Sequence, residues 1–126
     1  MPSTVRLERI SERIKELLAA LVLNRLNDPR LAGVFINDVK VDRELAFAEV
    51  FVSAVEGADR AEEILAGLER ASGFLRHELA AQVDLRAFPR LRFHWDPTPE
   101  HADHIERLLA SIREEDDKKS EDEPGK

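Results

Sequence analysis

The sequence predicts an α+β fold, with helices packed on one side of a small three-stranded mixed sheet. Three observations carry that expectation. Apolar residues recur at helical spacing over residues 3–26 and again from Ile64 to Val83. Two runs rich in β-branched and aromatic residues, Val34 to Val41 and Ala46 to Val55, are separated only by Asp42-Arg43-Glu44-Leu45, which suits an antiparallel hairpin. A third such run, Leu91 to Trp95, follows Pro89, which stops any helix before it.

In the first helix Leu7, Ile10, Ile14, Leu17, Leu18, Leu21 and Val22 form one apolar stripe. Ser3 or Thr4 can cap its start, and Asn27-Asp28-Pro29 ends it. Arg6, Arg9 and Arg13 project from neighbouring turns, interleaved with Glu8, Glu12 and Glu16, so a solvated face is the plainer reading and a phosphate contact the functional one. In the first strand, alternation puts Phe35, Asn37, Val39 and Val41 on one face and Val34, Ile36, Asp38 and Lys40 on the other. Asp59 is a reasonable cap for the helical stretch that follows.

That stretch, running through Ile64, Leu65, Leu68, Phe74, Leu75, Leu79 and Val83, is the centre of the chain. Ala71-Ser72-Gly73 lies in its middle, where glycine costs backbone entropy and serine offers the backbone a competing hydrogen bond. The expectation is two helices, or one sharply kinked helix, meeting at this triplet. A helix restarting there would present unpaired N–H groups, which attract anions. Around it lie Arg70, Arg76, His77, Arg86, Arg90 and Arg92. Thr98-Pro99-Glu100 then opens a short amphipathic helix through Ile105, Leu108, Leu109 and Ile112. The order is helix, strand, strand, helix, helix, strand, with one more helix appended. Three strands cannot shield both sheet faces, so the helices should share one face, and the third strand is expected beside and parallel to the first.

Composition limits what such a domain could bind. The chain has no cysteine, which excludes disulfides and thiolate metal sites and fits a reducing cytoplasm. No apolar run could span a bilayer, and nothing at the N-terminus reads as a signal peptide. A net charge of -7 argues against nucleic acid as a partner. The location of the charge weakens that argument, because from Glu114 onward there are seven acidic and three basic residues, leaving 16 basic against 19 acidic in the rest. Residues 1–113 therefore read as one nearly balanced domain, and 114–126 as an acidic, disordered tail.

Several local patterns point to a family: Arg6-Leu7-Glu8-Arg9-Ile10, Asp28-Pro29-Arg30-Leu31, Val50-Phe51-Val52-Ser53, Ala71-Ser72-Gly73-Phe74-Leu75-Arg76, and Pro89-Arg90-Leu91-Arg92-Phe93-His94-Trp95-Asp96. In this order and spacing, over about residues 5–110, the chain resembles the ribosome-binding factor A family, and its element order is that of a type II KH-like fold. KH domains clamp nucleotide backbone with a Gly-x-x-Gly loop, and Ala71-Ser72-Gly73 matches the Ala-x-Gly that this family has there. The resemblance implies binding to the free 30S small subunit through its 16S rRNA, a role in late maturation and rRNA processing, no catalysis and no cofactor. A cytoplasmic monomer is expected. The RNA-contact candidates are then Arg70, Ala71, Ser72, Gly73, Arg76, His77, Arg86, Arg90 and Arg92, with Arg6, Arg9 and Arg13 as a second row. Salt bridging of the central arginines with Glu69, Glu78 and Asp84 is the plainer alternative.

Other chemistry is weaker. His101 and His104 could form a metal pair, but two histidines without further ligands read better as a solvated helix face. Gly67 and Gly73 lie in helical sequence and make no phosphate-binding loop, and nothing brings Ser53 or Ser72 together with His77 and a carboxylate. Phe93 and Trp95 could stack on bases, yet their alternation with Arg92 and His94 favours the core, where Phe51 and Phe74 are placed as well. A rival function is a protein-interaction module using the first helix and the open sheet, with RNA contact incidental.

Overall fold

The computed structural model describes residues 3–99 and 105–113. The chain divides into two compact units, Met1–Asp96 and Pro97–Lys126. The first runs α1 (Thr4–Asn24), β1 (Val34–Val41), β2 (Phe47–Ala54), α2 (Ala61–Gln82) and β3 (Arg90–Trp95), with 3₁₀ turns at Pro29–Leu31 and Gly57–Arg60. In the second, residues 98–99 and 105–113 are helical. The histidine pair and the acidic tail lie outside the described residues. No helix among those described is long and apolar enough to cross a membrane.

α1 starts where the sequence says it should, because the Ser3 hydroxyl accepts from the Arg6 N–H at 3.1 Å. α2 starts differently. Its cap position is Arg60 and no side chain caps it; Asp59 sits instead within the preceding 3₁₀ turn. Arg60 holds that turn by pairing with Glu56 and by donating to the Arg30 and Ala32 carbonyls.

The sheet order is β1-β2-β3, with β1 antiparallel and β3 parallel to β2. The third strand therefore lies beside the second, not the first. The far edge of β1 is already engaged by α1, where the Ser11 hydroxyl accepts from the Val41 N–H at 3.2 Å. A bulge at Asn37 also changes which β1 residues share a face. Val34, Ile36, Val39 and Val41 all pair with Ala54, Val52, Val50 and Ala48 and so face the helices, while Phe35, Asp38 and Lys40 face the open side. That one extra residue is why the alternation in this run is loose.

The core lies between the sheet and both helices. Ile14 and Leu18 of α1, Ile64, Leu68, Leu75 and Leu79 of α2, and Val50 and Val52 of β2 are completely enclosed. Phe93 and Trp95 pack against this cluster, as their alternation requires. Phe51 and Phe74 do not: Phe51 lies on the open face stacked on His94, and Phe74 is exposed with the Arg25 guanidinium over its ring. Gly67 lets α2 approach the Pro29–Leu31 turn, since a Cβ there would lie 3.1 Å from Leu31 Cδ2.

Ala71-Ser72-Gly73 does not divide α2, which is one helix from Ala61 to Gln82. The Ser72 hydroxyl does form the competing bond foreseen for it, donating to the Glu69 carbonyl at 2.7 Å, but it does so within the helix. Burial of the apolar residues on both sides of the triplet outweighs the local propensity cost, which is on the order of 1 kcal/mol for the glycine. No new helix N-terminus exists at this point, and with it goes the expected cradle of free amides.

Two neighbouring substitutions test this burial. Leu75→Ala should cost about 2–5 kcal/mol in urea unfolding, whereas Phe74→Ala should cost about 1 kcal/mol or less.

Candidate nucleic-acid interface

On α1, Arg6, Arg9 and Arg13 are exposed, and among the described residues none of their guanidinium groups has a hydrogen bond or a carboxylate within ion-pair distance. Successive helix residues turn by about 100°, which places these three on one strip and Glu8, Glu12 and Glu16 on the next. The acids therefore adjoin the arginines without neutralising them pairwise. Guanidinium groups in this state can take phosphate oxygens in bidentate geometry.

On α2, Arg70, Gly73 and His77 recur at helical spacing along an exposed strip, while Ala71 and Ser72 are half-buried beside it. A Cβ on Gly73 would meet no atom within 4 Å, so the backbone here is open to a ligand. Arg86 and Arg90 are also exposed, and no partner for either guanidinium is found among the described residues. The Arg90 backbone N–H donates to the Ala46 carbonyl at 2.9 Å and fixes the start of β3.

The remaining two arginines have partners within the fold. Arg76 donates through Nη2 to the Phe88 carbonyl at 2.7 Å and through Nε to the Pro89 carbonyl at 3.3 Å, tying α2 to the connection before β3. Arg92 reaches across the sheet, where its Nε donates to Glu49 Oε1 at 2.6 Å and its guanidinium lies 3.8 Å from the centre of the Phe47 ring. Glu69, Glu78 and Asp84 form none of these bridges. The partner is Glu49, which also bonds the His94 imidazole, and His94 in turn stacks on Phe51 with ring centres 5.3 Å apart.

Glu49 was not apparent from the sequence, because its partners lie on another strand and only the β2–β3 register opposes Glu49 to Arg92. The other unforeseen network joins Asn37, at the bulge, to the buried Ser53 at 3.0 Å and to Asp96 at 3.0 Å. This assigns Ser53 a structural hydrogen bond. Among the described residues no group of three or more histidines and carboxylates is placed to hold a metal ion.

Electrostatics makes the Glu49 cluster testable. Burial raises the Glu49 pKa, but the hydrogen bonds from His94 and Arg92 outweigh it, and the carboxyl is held below its ordinary value. A depressed carboxylate pKa contributes stability that is present above the unfolded-state value, about 4.3, and lost as pH falls through the folded-state value. Glu49→Gln should therefore be less stable than the parent chain at pH 7, with the gap closing below about pH 4 in thermal unfolding.

Known proteins share this geometry. The Ribosome-binding factor A family matches residues 6–109. The Ribosome-binding factor A of Aromatoleum aromaticum is 35% identical over 119 residues, covering 94% of each chain. The crystal structure of ribosome-binding factor A from Thermus thermophilus superposes with a TM-score of 0.61 at 30% identity, covering 68% of this chain and 91% of that one. Thermus thermophilus ribosome binding factor A, as fitted into a cryo-EM map of a 30S-RbfA complex, gives a TM-score of 0.60 at 28% identity over 72% of this chain and 96% of that one. A match extending from the first turn of α1 into the C-terminal helix, joined to the same arrangement of helices and sheet, places this chain in the ribosome-binding factor A family.

Proposed function

We propose that this chain docks on the 30S ribosomal subunit through its 16S rRNA and assists late maturation and rRNA processing as a cytoplasmic monomer without catalysis of its own. The observation that carries the reading is the set of exposed guanidinium groups with no ion pair among the described residues, Arg6, Arg9 and Arg13 on α1, Arg70 on α2, and Arg86 and Arg90 beyond it, with the exposed His77 imidazole on the Arg70 strip. The fit of the Thermus thermophilus relative into a 30S complex supports the choice of partner. Binding would act by position. Exposed strips of α1 and α2 that grip phosphates would hold an rRNA conformation without forming or breaking any covalent bond.

The attraction is assigned to guanidinium groups and no longer to helix amides, since α2 has no internal N-terminus. Gly73 keeps a role in this scheme by letting phosphate approach the open strip of α2. Residues 1–113 are taken as the binding domain, and no role is assigned to residues 114–126.

Replacing Arg6, Arg9 and Arg13 together with glutamate should weaken association with isolated 16S rRNA and flatten its salt dependence by about 0.7 in logarithmic slope for each phosphate no longer gripped. An unchanged slope would remove α1 from the interface. Arg92→Ala should act instead through stability, leaving the slope intact. Gly73→Ala should stabilise the fold by up to about 1 kcal/mol, because a methyl group there meets nothing, while weakening rRNA binding.

A further inference from the structure

Phe74 is placed in the core by the sequence pattern and left at the surface by the fold: it is 39% exposed, whereas Leu75 beside it is fully enclosed. Its position around α2 explains the difference. Successive residues turn by about 100°, so Leu75 takes the buried face and Phe74 its border. Arg70 and His77, both exposed, lie within about 60° of Phe74 on the solvent side, and the half-buried Ala71 and Glu78 lie at similar angles toward the core. One step further round on the solvent side is Gly73, with open space where a side chain would be. The ring therefore borders the strip already assigned to phosphate.

α1 supplies the other wall. Its C-cap is Arg25, whose backbone N–H donates to the Leu21 carbonyl at 2.8 Å, and whose guanidinium lies 5.8 Å from the centre of the Phe74 ring. Among the described residues this guanidinium has no carboxylate within ion-pair distance. The ring is thus covered by an exposed cation–π contact, which is weaker than the stacking of a nucleobase on an aromatic side chain. A base that enters over the ring displaces the guanidinium outward, and the planar guanidinium then stacks on the base's far side.

We propose that Phe74 and Arg25 form a stacking site for one unpaired RNA base, with Arg70 taking an adjoining phosphate. The site rests on the rRNA-docking reading and adds to it the class of nucleotide that is met. Bases inside a helix already have both faces stacked, so only a nucleotide splayed out of a single-stranded stretch can offer one. Every base has an aromatic face, so the site selects for an unpaired state and tolerates any sequence. Charge favours this occupant over an apolar side chain of a protein partner, which would cover the ring but leave Arg25 and Arg70 without an anion.

The probes are two RNA octamers, one abasic at every position and the other identical except for a single central adenine. Titrated into the full-length chain, the adenine octamer should bind about tenfold more tightly and move the Phe74 ring protons upfield. Phe74→Leu keeps the apolar bulk without the ring and should erase the difference between the octamers, and Phe74→Tyr should retain it. Equal affinity for the two octamers, or none for either, in a chain that still binds 16S rRNA overturns the stacking site alone. Loss of binding to 16S rRNA itself overturns the docking reading beneath it. An adenine advantage that survives Phe74→Leu puts the base elsewhere and overturns the assignment. So do ring-proton shifts produced by raising the protein concentration alone, which mean that a second copy covers Phe74.

Discussion

Everything in the first unit depends on β2 being paired along both edges while one of its faces is sealed by helices. Ala48, Val50 and Val52 have no exposure, and each is flanked by a residue of β1 and a residue of β3. That double pairing makes a small mixed sheet rigid enough to serve as the base for α1 and α2. The opposite face of the same strand carries Phe47, Glu49 and Phe51, where Glu49 joins Arg92 and His94 across the β2–β3 seam. One strand therefore sets both the core and the arrangement of charge on the open side.

Packing also decides which cations are available. Arg76 and Arg92 sit in sequence among the other basic candidates, yet each finds an acceptor that only the tertiary fold supplies: the Phe88 and Pro89 carbonyls for one, Glu49 for the other. The arginines of α1 have acids one strip away and remain unpaired among the described residues. A guanidinium already hydrogen-bonded must give up those bonds to take a phosphate, whereas a solvated one loses only water. The free groups are accordingly the better docking contacts, and the engaged ones are better understood as braces.

Much of this fold was legible in the chain. Hydrophobic periodicity located α1 and the three strands to within a residue or two at most boundaries, because each pattern reports directly on which face is buried. Other features were not, and three of them shape the architecture most. Local propensity at Ala71-Ser72-Gly73 pointed to a break, but Leu68 and Leu75 are both fully enclosed and carry the helix through. The faces of β1 were misassigned after Asn37, since a bulge leaves no mark in the alternation except irregularity. Strand order was misjudged because the sequence does not reveal that Ser11 and α1 already occupy the outer edge of β1. The candidate site divides in the same way: the residue types are visible in sequence, and the partners that engage or free them are not.

The central claim is that solvated guanidinium groups on the outer helix faces and at the start of β3, and not a helix break, meet the RNA. The side-chain Nε–H resonances of the arginines, followed while 16S rRNA is added, read this directly. The account predicts shifts at Arg6, Arg9, Arg13, Arg70 and Arg90, with Arg76 and Arg92 keeping the signals of their internal hydrogen bonds. Shifts at Arg76 and Arg92 with the α1 arginines unmoved would contradict it.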